Sequence, residues 1–270
     1  MRGYALLPTR SPASKMISVI RPLVVPPALA PGVGKTIQNC ALRDASPNEY
    51  ETGARKFKFL KSIYGPKSVK FVLAEAQYNK CCFCEGEFDA HVAGDVEHYR
   101  PKGSTQLSTG RQYPGYYWLA YTASNLYFAC PDCNEYRKND RFPLVDESVR
   151  ARSHHQFLCD EQPLLLDPGG PQNPRDHIRF ARDFPVGQSD MGRETIKVLK
   201  LDREPLNKRR RTLINRLHGD LEIISLWSHD QRADAVRRVE AARLALANAV
   251  LPTAEFSATA QDFLDNWTPN

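Results

Sequence analysis

Two Cys-x-x-Cys pairs constrain the fold of this 270-residue chain more than any other feature. The pairs are Cys81/Cys84 and Cys130/Cys133, and a long stretch of chain separates them. One Cys-x-x-Cys turn presents two sulfur atoms to a metal ion, and two such turns complete a tetrahedral zinc shell. We therefore predict a structural zinc ion that joins two distant segments, in a closed shell with no position left for a substrate.

The cysteine count favours this metal site over disulfide bonds. The chain has seven cysteines, an odd number, and four of them fall in the two pairs. Spaced pairs of this kind are typical of metal-bound thiolates in a reducing compartment, and a redox dithiol is the alternative. No run of eighteen apolar residues predicts a membrane helix, and Pro8 interrupts the N-terminus before an apolar signal segment develops. We expect a cytoplasmic protein with no membrane partner.

Residues suited to hydrolysis lie between and beside the two pairs. Glu97 and His98 are adjacent, Asn125 precedes the second pair, and Asn134 follows it directly. Cleavage of a phosphodiester needs a base to deprotonate water and a divalent cation to neutralise developing charge. Neighbouring side chains of an extended segment point to opposite sides, so one of Glu97 and His98 can serve a metal while the other faces water. Asn125 is in a position to orient the imidazole through a hydrogen bond.

Four segments of this region carry a family resemblance: EHYRPK at 97–102, YYWLAYTASNL at 116–126, CPDCN at 130–134 and RFPL at 141–144. They resemble the HNH endonuclease superfamily, which has a ββα-metal core. They are more closely similar to the PtuB-type HNH subunit of Septu antiphage systems and to related retron effectors. The resemblance implies the following roles: His98 as general base, Asn125 as the residue that orients it, Glu97 and Asn134 as ligands of a catalytic magnesium or manganese ion, and Cys81, Cys84, Cys130 and Cys133 as ligands of a structural zinc.

Two details leave the catalytic ligand set open. Where many HNH enzymes have a final histidine, this chain has Asn134, which we expect to change the metal preference and weaken ligation. Asp95 is an alternative oxygen ligand. If Asp95 binds the metal, Glu97 would contact the metal's ligands rather than the metal itself.

The basic residues of the same segment suggest a nucleic-acid partner. The net charge of +6 permits such a partner without requiring it. Arg100, Lys102 and Lys138 are the predicted phosphate contacts. The tyrosines and the tryptophan between 113 and 121 are expected to pack in the core rather than to stack on bases.

The pattern along the chain predicts an α+β protein: a ββα-metal HNH core with flanking helices at both ends. We expect a flexible arm at 1–36, a helical segment at 37–80, the HNH core with its zinc-binding turns at 81–145, and a mainly helical region at 146–270. A capping box at 46–49 predicts a helix that runs through Ile63. Gly65-Pro66 then starts another helix, and a last helix is expected around 256–267.

These features favour a metal-dependent endonuclease that cleaves DNA as the effector of an antiphage system. The segment PGVGKT at 31–36 has Leu29 where a phosphate-binding loop needs glycine, so any ATP dependence would come from an ATPase partner subunit. Two alternatives stay open. One is an RNA-cleaving enzyme acting, for example, on tRNA, and the other is a non-catalytic zinc module that binds nucleic acid or acts as a scaffold.

Overall fold

A computed structural model describes Val19 and residues 25–88 and 94–268 of the chain. Most of the predicted arm at 1–36 therefore lies outside the described residues. Val19 is buried against the core, and its N–H donates to the carbonyl of Pro168 at 2.8 Å. Among the described residues, no helix is long and apolar enough to span a membrane.

Within residues 25–88, the described N-terminal stretch forms four α-helices: α1 Pro31–Ala45, α2 Pro47–Glu51, α3 Lys61–Tyr64 and α4 Lys67–Glu75. Helix α1 begins inside the segment assigned to the arm. The prediction of one helix from the capping box through Ile63 is wrong, because the Ser46 side chain makes no capping bond and α2 ends at Glu51. Phe57 instead lies in an irregular stretch, stacked between Tyr50 and Tyr117 at ring distances of 4.2 and 4.3 Å.

A two-stranded antiparallel sheet forms the centre of the molecule. Strand β1 (Asp95–His98) pairs with β4 (Leu126–Ala129), with Glu97 opposite Tyr127 and His98 opposite Leu126. A seven-residue π-helix, Asp132–Lys138, follows β4. Of the second cysteine pair, Cys130 lies between the strand and the helix, and Cys133 lies within the helix. Strand, strand and helix thus follow the order that the ββα expectation requires. A small hairpin of β2 (Thr105–Leu107) and β3 (Gly110–Gln112) lies between the two central strands in sequence.

The C-terminal part begins with a β-hairpin that the sequence reading did not anticipate. Strands β5 (Ile178–Ala181) and β6 (Phe184–Gly187) pair in the antiparallel sense, and Ile178 and Phe180 face the core while Arg179 faces solvent. Four helices follow, and α8 confirms the predicted last helix. They are α5 Asp190–Leu199, α6 Glu204–Trp227, α7 Ala233–Ala249 and α8 Ser257–Asp265.

Three buried apolar clusters hold these elements together, and the fold is α+β as predicted. The first surrounds the cysteines and reaches α5 and the start of α6, the second packs α3 and α4 on the central sheet, and the third joins α6, α7 and α8. Short 3₁₀ turns connect the larger elements: Pro27–Leu29, Tyr117–Leu119, Ala123–Asn125, Glu147–Val149, Leu158–Asp160 and Pro174–Asp176.

The side chain of Gln77, just after α4, hydrogen-bonds the backbone of β4. Its side-chain oxygen accepts from Phe128 N–H at 2.9 Å, and its amide nitrogen donates to the carbonyls of Phe128 at 2.7 Å and Lys80 at 2.9 Å. Gln77 is fully buried. The amide therefore satisfies backbone groups that water cannot reach.

Substitution of Gln77 by alanine is expected to lower the free energy of unfolding by about 2–4 kcal/mol, because it leaves buried backbone groups unpaired. Urea denaturation measures the change. Gln38→Ala on the exposed surface of α1 is the control, and it should change the value by less than about 0.5 kcal/mol. Equal losses in the two variants would contradict the role of Gln77.

Candidate functional site

The four cysteines of the two pairs meet at one point. Their sulfur atoms all lie within 4.8 Å of one another, and Cys84 Sγ is 3.9 Å from Cys130 Sγ. Sulfur atoms bound to one tetrahedral zinc at about 2.3 Å lie about 3.8 Å apart. The donor set and its spacing therefore fit zinc, and the four residues would hold the ion in a closed shell.

Neighbouring donors support the sulfur cluster. The N–H of Cys130 donates to Cys81 Sγ at 3.4 Å, and the Arg203 guanidinium donates to Cys133 Sγ at 3.5 Å. Burial raises the pKa of Cys81, whereas hydrogen bonds from Cys130 and the other cysteines lower the pKa of Cys84. Four thiolates crowded in a buried site need a cation to balance their charge, as bound zinc would do.

The C-terminal region clamps the first cysteine turn. Lys80, directly before it, is fully buried and donates to the carbonyls of Pro252 at 2.5 Å and Ala254 at 2.8 Å. The N–H of Glu87 donates to Glu255 Oε1 at 2.9 Å. The residues that flank the first cysteine turn thus hold the loop that precedes α8.

His98 ends β1 in a buried position, with its ring edge on Tyr64 at a centroid distance of 4.8 Å. Its Nε2 lies 2.9 Å from the carbonyl of Ala120, and its Nδ1 lies 3.3 Å from Lys102 Nζ. A carbonyl only accepts and an ammonium only donates, so Nε2 carries the proton and Nδ1 is the basic nitrogen. Burial and the Lys102 charge hold the pKa of His98 well below its usual value, so the ring is neutral at pH 7.

Asn125 does not orient His98 by a direct hydrogen bond, and that prediction is wrong. Its Oδ1 accepts from Arg100 N–H at 2.8 Å, and its Nδ2 donates to the carbonyls of Arg100 at 3.0 Å and Leu119 at 3.3 Å. Ala120, next to Leu119, supplies the bond to the imidazole. Asn125 therefore fixes the two backbone segments that flank His98 and its carbonyl partner.

Glu97 is buried in an ion pair instead of facing a cleft. Its Oε1 lies 2.5 Å from Nζ of Lys138, which is fully buried and also donates to the His98 carbonyl at 2.9 Å. Burial raises the pKa of Glu97, and the Lys138 charge opposes that shift. Asp95, the alternative ligand, is held by Lys61 at 2.7 Å and Lys70 at 3.0 Å.

Asn134 lies in the π-helix, half-buried, and its side-chain amide has no hydrogen-bond partner among the described residues. Its oxygen and the Glu97 carboxylate are donors that magnesium or manganese prefers. Lys138, however, occupies Oε1 of Glu97. In this arrangement an ammonium group stands where the predicted cation would bind the carboxylate, so the catalytic-metal assignment stays a prediction.

The three predicted phosphate contacts have different surroundings. Lys138 is fully buried, so its assignment to nucleic-acid contact is wrong. Arg100 pairs with the buried Glu161 and lies over the rings of Tyr116 and Phe142, contacts that oppose a phosphate role. Lys102 stands beside His98, with Nζ 5.0 Å from the ring centre of Tyr64. Of the three predicted phosphate contacts, Lys102 is therefore the one that lies next to the His98 imidazole.

Sequence reasoning missed two partners of the site, the Lys138 ammonium and the Ala120 carbonyl. A backbone carbonyl carries no residue-type signal. It also missed a cavity of about 320 Å³ beside Asn125, which Arg100, Asp167 and Met191 help to line. Neither Glu97 nor His98 lines this cavity.

Comparison with known proteins identifies a relative of this chain. The chain is similar to Septu protein PtuB of Bacillus mycoides (strain KBAB4). The two are 34% identical over 165 residues, which is 59% of this chain. The matched region spans 55% of PtuB, a little over half of its length. No family model matches the chain, and no solved structure does.

Substitution of Lys138 by methionine is expected to destabilise the protein by about 3–5 kcal/mol, because Glu97 is left buried without a counter-charge. Urea denaturation measures the loss. The double variant E97Q/K138M should recover most of it, since both charges are gone. Lys61→Met, at the exposed pair with Asp95, is the control and should cost less than about 1 kcal/mol. A single variant as stable as the parent would rule out the buried pair.

Proposed function

We propose that this protein is a metal-dependent HNH endonuclease that hydrolyses DNA phosphodiester bonds as the nuclease effector of a Septu-type antiphage system. The similarity to PtuB supports the system, and the surroundings of His98 support the chemistry. The observation that carries the proposal is a neutral, buried imidazole with one nitrogen held by a carbonyl and the other beside a lysine. A structural zinc module has no need of this arrangement.

His98 acts as general base through Nδ1. The Ala120 carbonyl holds the Nε2 proton, so the lone pair of Nδ1 is directed toward Lys102. A water molecule at Nδ1 would give up its proton as it attacks phosphorus. The lowered pKa of His98 keeps the base unprotonated at neutral and mildly acidic pH.

Lys102 links substrate binding to this base. In the described structure its ammonium lies 3.3 Å from Nδ1 and covers the basic nitrogen. A scissile phosphate is a stronger partner for an ammonium than a neutral imidazole is. Phosphate binding therefore draws Lys102 away from Nδ1 and admits water, so the base is exposed only when a substrate is present.

A magnesium or manganese ion would supply charge neutralisation at the scissile phosphate, with Glu97 and Asn134 as its protein ligands. Because Glu97 is paired with Lys138 in the described structure, the carboxylate must share or exchange that partner to bind an ion. This requirement provides a restraint on a nuclease that would otherwise damage its host.

ATP dependence, in this proposal, belongs to a separate ATPase subunit. Residues Gly34, Lys35 and Thr36 lie within α1, whereas a phosphate-binding loop precedes its helix. The chain therefore contributes the nuclease and not the nucleotide site. DNA is the proposed substrate. Parallel cleavage reactions with plasmid DNA and with tRNA distinguish it from RNA.

The variant His98→Ala is expected to lose about 10²–10⁴-fold in cleavage rate, the usual contribution of a general base. The assay follows nicking of supercoiled plasmid with magnesium or manganese, with and without chelator, and with the candidate ATPase partner present. A parallel reaction with tRNA tests the RNA alternative.

The variant His218→Ala is the matched control, because His218 is an exposed histidine on α6. This variant should cleave plasmid at the parent rate. Retained zinc and an unchanged melting temperature in His98→Ala would separate catalysis from folding. Cleavage by His98→Ala at the parent rate would eliminate the base assignment. Absence of metal-dependent cleavage in the parent complex on either substrate would favour the non-catalytic zinc module.

A further inference from the structure

A second group of metal-ligating side chains lies away from the cysteines and the His98 site. It consists of Asp44 near the end of α1 and the adjacent pair His154 and His155. One ligand atom from each of the three lies within 4.8 Å of the others. The group joins a helix to a loop far away in sequence, and neither the zinc assignment nor the proposed nuclease uses it.

The distances within the group match those between ligands of one ion, and the contact of His155 with Asp44 is a direct hydrogen bond that a bound ion would replace. His155 Nε2 lies 3.0 Å from Asp44 Oδ1, and His154 Nε2 lies 3.4 Å from Asp44 Oδ2. Two ligand atoms bound at about 2.1 Å from one metal lie about 3.0 Å apart at a right angle and about 3.4 Å apart at the tetrahedral angle. Both imidazoles therefore direct the same nitrogen at one carboxylate with the spacing of a coordination sphere.

The opposite nitrogen of His154 has the support that a metal-bound imidazole requires. Its Nδ1 lies 2.6 Å from the hydroxyl of Tyr117, a fully buried residue of the core. A metal-ligating histidine usually donates its other N–H to such an oxygen, which fixes the ring and its tautomer. In the tautomer that donates Nδ1–H to Tyr117, the Nε2 lone pair of His154 lies beside Asp44 and can bind a metal ion.

The group is partly exposed to solvent, so water can supply further ligands to a bound ion. The side chains of His155 and Asp44 are 60% and 42% exposed, whereas that of His154 is 21% exposed. The ring centroids of His154 and His155 lie 4.0 Å apart, and Nε2 of each ring lies beside the Asp44 carboxylate. The Arg43 guanidinium lies 3.5 Å from Asp44, but its closer partner is Glu51 at 2.8 Å.

We propose that Asp44, His154 and His155 bind a divalent transition-metal ion such as zinc, nickel or cobalt, with the remaining coordination positions open to water. Imidazole and carboxylate ligands select this class, in contrast to the soft thiolates of the cysteine site. The ion ties α1 to the loop that packs on Tyr117. This site is independent of the proposed nuclease function.

Calorimetric titration of the tag-free, full-length protein with nickel tests the proposal. Retention of zinc by the cysteines is checked by elemental analysis, so that exchange there is not mistaken for new binding. The parent is expected to bind one further ion. The variant His155→Ala, which alters an exposed side chain, should bind it about 100-fold more weakly, because loss of even an outer-shell partner of a ligand costs about 10- to 100-fold in affinity.

The control is the variant His218→Ala, which removes an exposed histidine paired with Glu222 and should bind nickel as the parent does. A second readout is the melting temperature, which nickel should raise in the parent and the control but not in His155→Ala. Failure of the parent to bind a further ion would overturn the proposal. Equal nickel binding and equal stabilisation in the parent and His155→Ala would overturn it as well.

Discussion

The packing of four sulfur atoms into one buried cluster is the constraint on which the rest of the structure depends. Cys81 and Cys84 belong to a turn clamped by the C-terminal region, and Cys130 and Cys133 connect β4 to the π-helix. A zinc ion at their centre would fix the start of the helix relative to the sheet. That helix carries Asn134 and Lys138, so the position of the proposed active site follows from the cluster.

Charge pairing around β1 is the second organising feature. Glu97 pairs with Lys138, Asp95 pairs with Lys61 and Lys70, and Lys102 stands beside His98. In water such pairs contribute little, but a buried carboxylate depends on its counter-charge. The lysines thus preserve the fold of the site while they occupy the groups that proposed catalysis would use. A substrate phosphate or a divalent ion would compete for the same partners.

The sequence predicted the features that rest on local spacing. The two Cys-x-x-Cys pairs meet as expected, α4 follows Gly65-Pro66, and α8 lies within 256–267. The orienting bond to His98 was assigned to the wrong residue, because a backbone carbonyl has no signature in residue type. The burial of Lys138 was missed because a lysine beside other basic residues is typical of a solvated surface. The hairpin of β5 and β6 had a signal, the alternation of Ile178 and Phe180 with polar neighbours.

X-ray absorption spectroscopy at the zinc edge of the purified protein tests the central claim most directly. We predict bound zinc with a first shell dominated by four sulfur atoms at about 2.3 Å, and unfolding of the protein when a strong chelator removes the ion. If zinc also binds at Asp44, His154 and His155, the averaged first shell of zinc gains nitrogen and oxygen atoms. The variant His155→Ala should remove this contribution. Protein that folds without metal, with its four cysteines as free thiols or disulfides, would contradict the account.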